Sequence, residues 1–256
     1  MKQYVHAKIE GHSHTTGGVH AMYLHAPDIA KNARPGQFVM VYLDKGEFLL
    51  PRPISLHKVE KLNGIIMLAY AVAGAGTEIM SNWPVGHTVR ILGPLGNGFD
   101  LDNLHKGDRV ALVGGGFGAA PLYYLAAELN KLGVWVDVYL GFRKDTPALV
   151  KCFETLADNL TTAYEDEPTA TRKGFVTSFL PNNPAYKAIL TCGPTPMLKA
   201  VSAYAGAHNI PCQVSVEERM ACGIGACKGC VVKTMVGYRL CCVEGPVFDN
   251  KEVNFG

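Results

Sequence analysis

Three cysteines near the end of the chain, Cys222, Cys227 and Cys230, stand in a C-x4-C-x2-C run, and Cys241-Cys242 follow shortly after. Five of the eight cysteines thus fall in the last 35 residues. Three thiolates on one tight loop, closed by a fourth from a later segment, form the ligand set of a plant-type [2Fe–2S] cluster. Gly223, Gly225 and Gly229 sit among them, where glycine permits positive φ and lets backbone amides reach the sulfurs. This spacing predicts a small thiolate-bearing module and one-electron chemistry. A structural zinc site is the first competing reading, but zinc knuckles more often come as two short cysteine pairs than as a glycine-wrapped triplet. A disulfide framework fits less well still.

At 256 residues and 48% apolar content, the chain can bury a substantial core, as one large or two ordinary domains plus an appendage. The first residues carry no apolar signal-peptide core, which predicts a cytoplasmic protein whose thiols stay reduced. Net charge is +2 with acids and bases interspersed, so no basic surface points to nucleic acid. The uncharged stretch 110–127 holds four glycines and Pro121, which suits strand, turn and helix better than a membrane span.

Up to about Phe99 the chain reads as short β runs, at 4–9, 19–25, 37–42, 65–72 and 88–92, broken by turn residues. That pattern predicts a small antiparallel β-barrel over 1–98. Beyond Gly93-Pro94-Leu95-Gly96-Asn97-Gly98 the period changes: a short apolar strand at 109–113, a helix from near Pro121 to Gly133, and another strand at 134–140. Strand–helix–strand repetition predicts an α/β domain with a parallel sheet over 99–211. The cysteines define a third module over 212–256.

Gly114, Gly115, Gly116 and Gly118 fill the turn between the first strand and helix of the α/β part, where backbone amides can approach a pyrophosphate. The acidic residue expected about 20 positions on is not evident, since Asp137 falls inside its strand. Arg52-Pro53-Ile54-Ser55, read as following a barrel strand, offers a guanidinium for phosphate and a hydroxyl for a flavin edge. Gly74-Ala75-Gly76-Thr77 supplies a second phosphate-binding turn with a threonine hydroxyl. Cys192, followed by Gly193 and Pro194, ends a strand and faces the crevice where such sheets bind ligands; a lone cysteine there is otherwise a buried apolar residue. His12 and His14 alternate onto one side of an extended segment with His20 and His25 nearby, which raises metal binding. Residues 11–18, however, read as a polar hairpin loop with solvated histidines. Glu217-Glu218-Arg219 reads as a solvated linker.

In this order, RPIS, GAGT, GGGFGAAP, CGPTPM and CGIGACKGC…CCVEGPVF resemble the ferredoxin-reductase-like flavoproteins, and more narrowly the electron-transfer subunits of NAD-dependent, type B dihydroorotate dehydrogenases. The resemblance spans essentially the whole chain. It implies that Arg52, Pro53, Ile54 and Ser55 form a first FAD segment, Ala69, Tyr70 and Ala71 a second, and Gly76 with Thr77 a third. Members often carry arginine where this chain has Ala71. Gly115, Gly116, Gly118, Cys192, Gly193 and Pro194 match the NAD signatures, and 174–177 matches as a sheet element. The fourth cluster ligand is implied to be Cys242 rather than Cys241, by its distance from Gly-Pro-Val-Phe. The implied partner is an FMN-containing catalytic subunit, two copies of each forming a heterotetramer, with dihydroorotate oxidised on the partner and NAD(H) bound here. The alternatives are a ferredoxin:NAD(P)+ reductase-type subunit of another redox complex and a zinc-stabilised, non-enzymatic binding module. Arg143 and Lys144 bear on NADP as well as NAD.

Overall fold

Alternate apolar side chains line one face of the N-terminal strands: Ala7 and Ile9 on β1 (Gln3–His14) and Met22 and Leu24 on β2 (Val19–His25) are wholly buried. A strand with one such face must pack it, and period-2 burial leaves the other face to solvent or a neighbour. The computed structural model describes residues 2–15, 18–43, 48–144, 146–166 and 172–256. After the short helix α1 (Pro27–Asn32) come β3 (Phe38–Tyr42), β4 (Arg52–Glu60), β5 (Ile65–Ala71), helix α2 (Ala75–Ser81) and β6 (Thr88–Leu95). The six strands close antiparallel in the order β1-β2-β5-β4-β3-β6, which is the barrel expected from sequence.

The uncharged stretch resolves as predicted into β7 (Arg109–Gly115), a 3-10 turn, and α3 (Ala119–Lys131). There follow β8 (Trp135–Phe142), α4 (Pro147–Phe153), β9 (Asn159–Tyr164), β10 (Ala188–Cys192), α5 (Thr195–Ala207) and β11 (Cys212–Ser215). A hairpin of β12 (Val231–Thr234) and β13 (Gly237–Leu240) precedes β14 (Val247–Asp249). The second sheet runs β14-β11-β10-β7-β8-β9, parallel throughout except for β14, which lies antiparallel to β11. The sheet therefore crosses the expected 211/212 boundary, and the cysteine loop is an excursion between two of its strands.

Three local expectations change. Arg52 opens β4 instead of following a strand, pairing with Val41, so barrel pairing starts at the motif itself. β1 continues through His14, because a bulge between Ile9 and Gly11 absorbs the register shift and pairing to β2 resumes as far as His14↔His20. The segment 11–14 is thus strand; of the expected loop, residues 16 and 17 lie outside the described residues. Residues 174–177 form no strand: Gly174 at φ +113 breaks the extended chain and a 3-10 turn, Val176–Phe179, follows.

Barrel and sheet are locked together. Helix α3 lies against β4, where the buried His57 donates from Nδ1 to the carbonyl of Ala120 at 2.6 Å and stacks on Tyr123. The Tyr124 hydroxyl donates to Ala33 in the barrel at 3.1 Å. The cysteine loop seats on the barrel too, for a Cβ at Gly223 would come within 2.6 Å of Met40 Cγ on β3.

Candidate functional site

β7 and β10 are neighbours, yet the chain proceeds from β7 outward through β8 and β9 on one side and from β10 to β11 on the other. Such a reversal of winding leaves a crevice at the carboxyl ends of the strands. Cys192 pairs with Gly114 at that edge. The glycines of the turn divide by role. A Cβ at Gly118 would run into the Cys192 carbonyl, one at Gly115 would lie 2.6 Å from Met197 Sδ, and one at Gly114 would lie 2.9 Å from Leu140 Cδ2. These three let helix and strand close up, as Gly193 does against Met197. Gly116 differs: it holds φ +54 and a Cβ there would meet nothing within 4 Å. It opens onto a cleft of about 450 Å³ walled by Phe142, Arg143, Glu165, Phe175, Pro194 and Met197. Backbone exposed at a glycine, beside a cleft of that size, fits the pyrophosphate and nicotinamide of a dinucleotide.

Cys192 is 2% exposed, and burial pushes its thiol up to about 12, helped by Glu217 and opposed by a hydrogen bond with Ser215. It keeps its proton at neutral pH and is not among the residues that wall the cleft, so the thiol expected to face the crevice lies buried behind it. Asp137 is occupied: Arg109 donates to it at 2.8 Å, Asn159 at 2.8 Å and Tyr186 at 3.0 Å. Glu165, just past β9, is the carboxylate the cleft does present. Nothing at sequence level marked it, because its place depends on β9 lying beside β8. Arg143 pairs with Asp166 at 3.0 Å on the same rim.

The barrel brings two other motifs together. A Cβ at Gly76 would overlap the Arg52 guanidinium, so glycine is what lets the arginine lie across the first turn of α2. Arg52 also donates to the Leu50 carbonyl at 2.6 Å and lies 5.7 Å from the centre of the Phe48 ring. The remaining guanidinium donors are held over the Gly74–Thr77 turn, a fit for phosphate oxygens. The Thr77 hydroxyl is spent on the turn itself, accepting from the amides of Ala73 and Gly74 and donating to the Gly74 carbonyl. Pro53, Ile54 and Ser55 continue β4 opposite Met40, Val39 and Phe38. On β5, Ala69 packs with the α/β core whereas Tyr70 packs inside the barrel, so Tyr70 and Ala71 can offer the outer face mainly backbone.

In the cysteine loop, backbone amides already point at sulfur. Ile224 and Cys227 donate to Cys222 Sγ at 3.5 and 3.4 Å, Gly229 to Cys227 Sγ at 3.5 Å, and Cys242 to Cys230 Sγ at 3.4 Å. Burial opposes ionisation of Cys222, but the amides of Cys227 and Ile224 prevail and bring its thiol down to about 6. Gly223 and Gly225 hold φ of +70 and +86, the left-handed backbone such a wrap requires. The two adjacent cysteines part company. Cys242 faces Cys230, Cys222 and the Gly225 amide, and burial with the neighbouring sulfurs pushes it up to about 12. Cys241 is fully buried and donates to the Val216 carbonyl at 3.7 Å. Crowded sulfurs each raise the cost of ionising the next, which a bound cation removes. Cys222, Cys227, Cys230 and Cys242 thus fit an iron–sulfur cluster.

Closed barrel, doubly wound sheet and thiolate loop define the class: a reductase of the ferredoxin-reductase fold with an iron–sulfur module at its end. Residues 217–254 match the model of the iron–sulfur cluster binding domain of dihydroorotate dehydrogenase B. The electron transfer subunit of dihydroorotate dehydrogenase B (NAD+) of Desulforamulus reducens is 39% identical over 240 residues, 91% of each chain. That of Caldanaerobacter subterraneus subsp. tengcongensis is 40% identical over 230 residues, 88% of this chain and 89% of its own. The chain belongs to this family of electron transfer subunits. Among solved structures, a chain of the NADH-dependent reduced ferredoxin-NADP oxidoreductase, a flavin-based bifurcating system, superposes with a TM-score of 0.85 at 28% identity, over all of this chain and 92% of that one. The ferredoxin reductase of carbazole 1,9a-dioxygenase shares the fold at a TM-score of 0.67 and 20% identity, over 82% of this chain and 67% of its own.

Proposed function

We propose that this chain carries electrons between an FMN-containing dihydroorotate dehydrogenase catalytic subunit and NAD+, by way of a [2Fe–2S] cluster and FAD, in pyrimidine biosynthesis in the cytoplasm. The observation that carries it is the convergence, on one locked framework, of a thiolate loop seated on β3, an arginine held over a phosphate turn, and a nucleotide cleft at the switch point. When bound, FAD supplies the conversion between a two-electron hydride and single electrons, and the cluster supplies the single-electron steps. The chain's own residues orient and insulate. Cys222, Cys227, Cys230 and Cys242 hold the iron, with amides positioned to stabilise negative sulfur. Arg52 with Ser55 and the Gly76–Thr77 turn take the FAD phosphates and ring edge, and Gly116 with Pro194 takes NAD(H) beside Cys192.

Ile224, Met235, Val236, Tyr238 and Val243, on the cysteine loop and the hairpin that leaves it, expose large apolar side chains. Apolar surface gathered beside an electron exit suits a protein partner, the catalytic subunit in a two-plus-two heterotetramer. A ferredoxin:NAD(P)+ reductase reading is the alternative, favoured by the full-length match to the bifurcating oxidoreductase. The purified chain should be yellow-brown, reduce dyes with NADH and leave dihydroorotate untouched, gaining dihydroorotate:NAD+ activity only with the FMN subunit. Dihydroorotate oxidation by the isolated chain, or a partner that neither binds nor couples, would transfer the reading to the reductase alternative.

A further inference from the structure

His12 and His14 on β1 and His20 on β2 bring their ring nitrogens together, each offering one within 4.8 Å of the others. They lie at one end of the barrel and take no part in the nucleotide or thiolate sites. His14 and His20 are direct cross-strand partners, and their Nδ1 atoms stand 2.7 Å apart. Two lone pairs cannot face each other at that distance, so a proton or a cation must lie between them. His12 settles its own tautomer: Nδ1 lies 2.9 Å from the Trp83 carbonyl, which can only accept, so Nδ1 carries the hydrogen and Nε2 the lone pair. An imidazole whose Nδ1–H is tied to a backbone carbonyl has its tautomer fixed with Nε2 as the nitrogen able to bind a metal, as second-shell partners do for metal-binding histidines. Tyr70 packs its ring against His20 at 5.4 Å, and its hydroxyl donates to His12 Nε2 at 3.0 Å, a bond that a metal ion on that nitrogen would replace.

We propose that His12, His14 and His20 form a binding site for a divalent transition-metal ion of the zinc type. Three neutral imidazoles with no carboxylate favour zinc over calcium or magnesium, and leave a fourth position to water or to the Tyr70 hydroxyl. Zinc–nitrogen distances of about 2.1 Å at tetrahedral angles separate two ligand nitrogens by about 3.4 Å. The 2.7 Å pair must therefore open and the wider separations close when the ion binds. His14 is exposed and His12 and His20 half-buried, so an ion can reach the site from solvent. The occupied site would tie β1, β2 and the Trp83 turn together at a barrel end.

The test is zinc uptake by the complete, cluster-loaded chain. After equilibrium dialysis against micromolar Zn2+, zinc and iron are measured together by inductively coupled plasma mass spectrometry. One zinc per chain should bind with iron content and visible absorbance unchanged. His14→Asn and His20→Asn should each weaken zinc binding at least tenfold, His12→Ala likewise, and His25→Ala should bind as the parent does. Far-UV circular dichroism and retained iron show that each variant is folded. Zinc binding unchanged in the combined His12→Ala, His14→Asn, His20→Asn chain, zinc entering only as iron leaves, or no stoichiometric zinc at all would overturn the site. None of these outcomes bears on the electron-transfer reading, which rests on none of the three histidines.

Discussion

Adjacent cysteines with opposite surroundings show what a single residue decides here. Cys241 turns its thiol to the Val216 carbonyl, whereas Cys242 meets Cys230, Cys222 and the Gly225 amide. Cys242→Ser should remove or strongly alter the cluster's visible absorbance and EPR signal, and Cys241→Ser should leave both near native; the reverse pattern would assign the fourth ligand to Cys241. Arg52 is the other residue with a sharp consequence. A charged hydrogen bond to phosphate is worth about 1.5–3 kcal/mol, so Arg52→Ala should weaken FAD binding by roughly one to two decades without unfolding the α/β sheet. Flavin retention on filtration at fixed protein concentration reads this directly, and unchanged retention would place the phosphate elsewhere. Arg52 stands out in sequence because its motif is local, whereas the choice of Cys242 over Cys241 comes only from the family resemblance. The functional division among the turn glycines was not legible: that Gly118 serves packing and Gly116 faces the cleft depends on Cys192 and Met197, far along the chain.

Elements were legible where hydrophobic period and turn chemistry agreed, as in β7, α3 and β8. They were obscured where polar residues sit on buried strands. β4 begins Arg-Pro and carries His57 and Lys58, so its alternation is hidden, yet it is a full barrel strand and the surface on which α3 rests. The bulge that carries β1 to His14, and the late return of β14 to β11, are set by pairing with distant partners, which no local window contains. The β4–α3 contact has a measurable pH signature. Burial holds the His57 imidazole down to about 4, against 6.5 in an exposed state. Between those values the unfolded chain binds the proton and the folded chain does not, so stability falls as pH drops through this window and is unaffected above it. The loss attributable to His57 should reach about 2 kcal/mol by about pH 5. His57→Gln should flatten the pH dependence of urea unfolding by that amount relative to the parent, and an equally steep profile in the variant would show that His57 is not the cause.

At the scale of the whole molecule, the chain devotes a barrel, a sheet and a loop to holding groups that pass electrons on. The described residues contain no helix long and apolar enough to cross a membrane. The proposed function sets an order, with the thiolate loop serving as the port to the partner and the cleft at Gly116 as the port to NAD(H). The most direct measurement is anaerobic NADH formation from dihydroorotate by the chain combined with the FMN subunit, comparing parent with Cys230→Ser. The variant should retain most NADH–dye reduction, which needs only the flavin and nucleotide seats, and lose the dihydroorotate-driven reaction. A Cys230→Ser chain that lacks its cluster yet still makes NADH from dihydroorotate at the parental rate would contradict that order.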